Sequence, residues 1–114
     1  IIKKDLPENI FMNLMGKSLT LTSAYMKKSI LFVGNDSGLM HLSVASKLRV
    51  ISLFGPTNDK VYGPYGKKNI VIRTSESLDY FKSINIDETK SYMSSINLDI
   101  VIQNCEKLLN ENYN

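Results

Sequence analysis

The stretch that most constrains this chain is Ile30–Thr57, ILFVGNDSGLMHLSVASKLRVISLFGPT. Ile30–Val33 is an apolar run without alternation, the pattern of a strand covered on both faces in a parallel sheet. It stops at Gly34-Asn35-Asp36-Ser37-Gly38, residue types that suit a turn. Gly38–Lys47 reads as a helix, with Asp36 or Ser37 placed to cap it. Val50–Phe54 is a second apolar run, closed by Gly55-Pro56-Thr57. Two buried strands joined by a helix form a βαβ unit, and such crossovers are right-handed with few exceptions. The expected fold is α/β, a parallel sheet with flanking helices.

A unit of this kind carries an anion site. The first turn of its helix leaves backbone N–H groups unpaired, and the helix dipole makes that end partly positive. Gly34 and Gly38 offer no side chain to block a ligand, so a phosphate fits there. Open parallel sheets bind ligands at the carboxyl ends of their strands. Asn35–Ser37 and Gly55–Thr57 both lie at such ends and are expected to face one crevice. His41, the chain's one histidine, stands a turn into the helix. Helical side chains lean toward the N-terminus, which directs His41 back at the phosphate position. The competing reading has it packed on the Gly55 loop and bonded to a carbonyl. A carboxylate beside a phosphate would repel it, so Asp36 is expected to cap the helix or bond a sugar hydroxyl. A metal site is not expected, because one histidine and one cysteine cannot build it.

Composition narrows the class. The 114 residues are 43% hydrophobic and 22% charged, globular values that suit one small domain. A net charge of +3 points only weakly to a polyanionic ligand or an acidic membrane surface. No basic run with interleaved aromatics suggests nucleic acid. Cys105 is alone, so no disulfide framework exists. No apolar run has membrane-spanning length and no signal peptide is visible, which leads us to expect a cytoplasmic setting. A start at Ile1-Ile2 rather than methionine suggests part of a longer polypeptide.

Around the central unit, Ile1–Pro7 reads as a lead-in and Asn9–Met15 as a further strand. Ser18 or Thr20 is placed to cap a helix over Leu19–Lys28, with Leu21, Ala24 and Tyr25 on its buried face. Gly16-Lys17-Ser18 is not a phosphate loop, since Phe11 stands where that motif needs glycine. Lys17 can still reach an anion from the strand end, although a solvated loop lysine fits as well. In Asn58–Lys68, Gly63-Pro64 and Gly66 mark turns, and Tyr62 and Tyr65 could stack on a flat ligand or fasten the loop. Asn69–Arg73 reads as a short strand. Thr74–Ser95 has no clear period beyond room for a short helical turn. Asn97 is placed to cap a last helix, whose stripe is Leu98, Val101, Ile102, Cys105, Leu108 and Leu109. Glu111–Asn114 is a polar tail.

Three motifs in order, Val33-Gly34-Asn35-Asp36-Ser37-Gly38-Leu39-Met40-His41-Leu42, Leu53-Phe54-Gly55-Pro56-Thr57 and Gly63-Pro64-Tyr65-Gly66, resemble the C-terminal half of the heptosyltransferases, glycosyltransferase family 9. Gly16-Lys17-Ser18-Leu19 is similar to the family's loop before the preceding helix. The resemblance covers roughly Asn9–Arg73. It implies a GT-B glycosyltransferase whose C-terminal Rossmann-like domain binds a nucleotide-activated sugar of the ADP-heptose type. The acceptor of the lipid A–core type and the catalytic base belong to an N-terminal domain with no counterpart in these residues. Carried over, Asp36, Ser37, Gly38 and His41 are the expected donor contacts, with Thr57 as a weaker candidate and His41 as stabiliser of the leaving group; Lys17 joins them on its place at the strand end. No cofactor is implied beyond the donor itself. The resemblance also implies a bacterial protein working at or near the inner face of the inner membrane. Two other readings use the same crevice: a different GT-B-like nucleotide-sugar enzyme such as an epimerase, and a flavodoxin-like binding module. A response regulator would want several acids at the strand ends, and Asp36 is the only acid in either central loop.

Overall fold

Three parallel strands, β1 (Leu31–Asn35), β2 (Arg49–Phe54) and β3 (Ile70–Arg73), pair in the order β1-β2-β3 in a computed structural model that describes residues 7–111. The lead-in before Pro7 and the tail after Glu111 lie outside the described residues. Phe32 faces Val50 and Asn35 faces Leu53 across the first pair, and Phe54 faces Arg73 across the second. All three strands therefore end at the same edge. Helices α1 (Leu19–Met26), α2 (Gly38–Ala45), α3 (Asp59–Tyr62), α4 (Leu78–Ser83) and α5 (Leu98–Asn110) connect and cover them. The architecture is Rossmann-like α/β, as the βαβ reading required.

The core follows from the alternation along β2. Val50 and Phe54 share one pleat and pack with Met40 of α2 into a cluster that Phe32 and Val44 border. Met40, Val50 and Phe54 are fully buried, and each such side chain contributes about 1.5–3 kcal/mol. Ile51, on the opposite pleat, is also fully buried, and α5 packs against both β1 and β2. Only β2 fits the expectation of a strand covered on both faces. Within the described sheet β1 is an outer strand, and Val33 is 42% exposed.

Helix ends obey local chemistry. Ser18 caps α1 by accepting from the Leu21 N–H, and Asn97 caps α5 by accepting from the Asp99 N–H. Helix α2 stops at Ala45, short of Lys47, because Lys47 turns left-handed at φ 65° and the Leu48 N–H returns to the Ser43 carbonyl. A non-glycine residue in that conformation costs about 1 kcal/mol.

Three further expectations fail. Asn9–Met15 is not a strand. It begins in a 3₁₀ turn at Glu8–Ile10, and the Asn13 side chain then accepts from the Met15 N–H. That local bond competes with sheet pairing. In α1 the buried residue is Met26, against Ser43, whereas Leu21, Ala24 and Tyr25 are exposed. The helix thus turns a polar-edged face inward and its apolar face out. In α5 the inward face holds Val101, Cys105, Leu108 and Leu109, but Leu98 and Ile102 of the expected stripe are exposed.

Candidate functional site

The crevice at the carboxyl edge is built from three loops. The first follows β1. The Asp36 N–H bonds the Leu53 carbonyl at 3.2 Å, which carries the sheet pairing one residue past β1 and then releases the chain. Ser37 takes the N-cap position of α2 in extended conformation, yet its hydroxyl caps nothing. Its carbonyl receives the N–H groups of Met40 and His41 at 3.0 and 3.5 Å. The Gly38 and Leu39 N–H groups have no such partner among the described residues. A Cβ built on Gly38 would meet nothing within 4 Å, and its φ is not positive. Neither backbone strain nor packing accounts for glycine there; the position is open.

The second loop, Gly55–Asn58, is held from outside. Arg73, at the end of β3, donates to the carbonyls of Gly55 at 2.7 Å and Thr57 at 2.8 Å. The same guanidinium pairs with Asp59 Oδ1 at 2.8 Å, where the carboxylate side chain is only 9% exposed. A fork of this kind fixes three points of one loop at once. Gly55 itself is closed over, since a Cβ would lie 2.9 Å from Met93 Sδ and 3.5 Å from the Tyr92 carbonyl. Glycine here admits the segment around Tyr92 and is not a ligand opening.

That segment is the part without legible periodicity. Ser77 caps α4, Phe81 is buried, and Phe81 meets Tyr92 edge to face at 5.6 Å. Thr74, 5% exposed, shares its hydroxyl with Glu76 and Ser95. The Thr74 hydroxyl, the Glu76 backbone N–H and the Ser95 hydroxyl hold the Glu76 carboxyl below its ordinary range.

The structure brings Asn35–Gly38 and Gly55–Thr57 to neighbouring strand ends, as the register demands. His41 is exposed on α2 and makes no side-chain hydrogen bond among the described residues, so the carbonyl-bonded arrangement is not found. Asp36 is half-buried and does not cap the helix. The Thr57 carbonyl belongs to Arg73. Lys17 is exposed in the turn that Gly16 makes at φ 74°, and a cleft of about 510 Å³ lined by Leu14, Gly16, Lys17, Thr22 and Leu39 joins that turn to the start of α2. Tyr65 stands at the other end of the sheet. Its carbonyl accepts from Asn69, which in turn accepts from the Val50 N–H at the start of β2, so Tyr65 cannot stack on a ligand in this crevice. Arg73 and Asp59 are the residues that sequence reading missed. A charged residue closing the apolar run Ile70-Val71-Ile72 was the available signal.

Against known sequences, the profile described as "Glycosyltransferase family 9 (heptosyltransferase)" matches residues 2–91. The chain belongs to glycosyltransferase family 9. This family 9 chain is 34% identical over 88 residues to lipopolysaccharide heptosyltransferase 3 of Escherichia coli (strain K12), covering 77% of the chain and 26% of that protein. It is 32% identical over 114 residues to lipooligosaccharide heptosyltransferase 2 of Haemophilus influenzae, covering 96% of the chain and 32% of that protein. A shorter match of 39 residues at 44% identity joins it to lipooligosaccharide heptosyltransferase 2 of Campylobacter jejuni, covering 34% of the chain and 12% of that protein. The chain thus spans between a quarter and a third of the length of the first two relatives. No solved structure matches it. Both central motifs and the Arg73 fork lie inside the residues matched to the family.

Proposed function

We propose that this chain is the donor-binding portion of a glycosyltransferase that moves a sugar from a nucleotide diphosphate, of the ADP-heptose type, to a hydroxyl of a lipopolysaccharide core acceptor. The open face of Gly38 at the unpaired start of α2 is the observation that carries this reading. Negative charge grows on the diphosphate oxygens as the glycosidic bond breaks. The Gly38 and Leu39 N–H groups and the Ser37 hydroxyl stabilise that charge from fixed positions. His41 donates a further hydrogen bond to the leaving group. Asp36 bonds a sugar hydroxyl, and Thr57 and Lys17 border the same donor. The acceptor hydroxyl is activated by a base on a second, acceptor-binding domain outside these residues, consistent with the length of the relatives. Donor and acceptor place the reaction at the cytoplasmic face of a bacterial inner membrane, with peripheral attachment.

Titration calorimetry of the full polypeptide with ADP tests the site. Gly38→Val puts a branched side chain into the open position, and it is expected to weaken ADP at least tenfold with unchanged thermal stability. Equal ADP affinity in the folded variant refutes the placement of the diphosphate.

A further inference from the structure

The edge of the sheet opposite the crevice has its own character. The loops that lead into β1, β2 and β3 carry Lys27, Lys28, Lys47, Lys67 and Lys68, all exposed, and no acid. None of these five is ion-paired among the described residues, whereas Lys60, Lys82 and Lys90 each have a carboxylate partner. Glu111, which reaches this edge from α5, is taken by Arg49. Lys47 is the only non-glycine residue at positive φ among the described residues. Glycine is the usual occupant of that position, because a Cβ is disfavoured there. Lys27, Ser29, Ser46 and Lys47 line a cleft of about 550 Å³ between the first two loops, room for a phosphate headgroup. Apolar groups stand among the lysines, with Tyr65 89% exposed and Ile30 64% exposed.

We propose that this amino edge is a docking surface for an anionic lipid bilayer. Lysines meet headgroup phosphates while an exposed tyrosine and an aliphatic side chain enter the interfacial zone. Charge alone would suit an acidic protein too, but the exposed Tyr65 and Ile30 beside the lysines match the interfacial zone of a bilayer. Strands of four to six residues hold the crevice about 13–20 Å above the headgroups, open to a soluble nucleotide. The inference shares with the proposed function only the location at a membrane, and it needs no nucleotide.

Co-sedimentation of the full polypeptide with vesicles tests it, using phosphatidylglycerol in phosphatidylcholine against phosphatidylcholine alone. Binding is expected only to the anionic vesicles. Lys27→Gln/Lys47→Gln/Lys68→Gln is expected to lower partitioning roughly a hundredfold, at about fivefold per lysine. The charge-matched Lys60→Gln/Lys82→Gln/Lys90→Gln is expected to stay within about threefold of the parent, and Tyr65→Ser to weaken binding at constant charge. Equal losses in the two triple variants, equal binding to both vesicle types, or no binding to the anionic vesicles each overturn the proposal. ADP affinity, measured on the same variants, is expected to be unchanged, so this inference and the donor reading can fail separately.

Discussion

Arg73→Ala is expected to unfasten the loop that follows β2 at Gly55, Thr57 and Asp59 together. The guanidinium makes three bonds of 2.7–2.8 Å to Gly55, Thr57 and Asp59. Hydrogen bonds to a charged group are each worth about 1.5–3 kcal/mol, and breaking a buried ion pair from one side costs about 3–5 kcal/mol. The pair is not wholly buried, since the Arg73 side chain is 22% exposed and water can reach the gap. Discounted for that screening, the expected loss is about 2–4 kcal/mol. Urea unfolding of the full polypeptide, followed by circular dichroism, measures it. Arg73→Lys keeps the charge for Asp59 but lacks the fork, so it should recover roughly half of the loss. Asp59→Asn in the Arg73→Ala background separates pairing from loop-holding: the double variant should lose about 1–3 kcal/mol less than the sum of the singles. A loss under about 0.5 kcal/mol in Arg73→Ala, or strict additivity with Asp59→Asn, refutes the fork as the fastening of this loop.

Other outcomes follow from the same geometry. His41→Ala is expected to lower kcat of the full polypeptide about 10–1000-fold while raising donor KM less, because leaving-group charge grows toward the transition state; near-parent turnover well below the melting temperature counts against the role. Gly63→Ala places a Cβ 2.4 Å from the Asp59 carbonyl oxygen, a backbone atom that cannot swing aside, and is expected to cost about 1–3 kcal/mol in the same unfolding assay. Glu76 titrates below its ordinary 4.5 because the Thr74 hydroxyl, its own backbone N–H and the Ser95 hydroxyl favour the carboxylate. Its contribution to stability is therefore complete above pH 4.5 and fades as the pH falls through the lower folded value, and Glu76→Gln is expected to flatten the stability profile in that acid range.

What the sequence disclosed depended on how far each signal had to reach. The βαβ unit was legible because its strand, turn and helix patterns are all local. Parallel register then followed from chain connectivity. The buried face of α1 was not legible, since Leu21, Ala24 and Tyr25 satisfy a helical stripe as well as Met26 does. The stripe that turns inward is the one that meets α2, where Met26 lies against the distant Ser43. The two glycines of the crevice make the same point within the site. Gly38 and Gly55 each follow a strand end and carry the same composition signal. Gly38 faces open space, whereas Gly55 lies beneath Tyr92 and Met93, whose position no local pattern announces. The 74–95 segment is held by hydroxyls, one carboxylate and an aromatic pair instead of by an apolar period, so nothing in its own residues states where it packs. Arg73 belongs to the same class. Its bonds span 14 to 18 residues back along the chain and end largely on carbonyls, which every residue has. A backbone acceptor leaves no mark in the sequence; only the donor does. Here the one local mark of the fastened loop was the charged residue that closes the apolar run Ile70-Val71-Ile72 on the neighbouring strand.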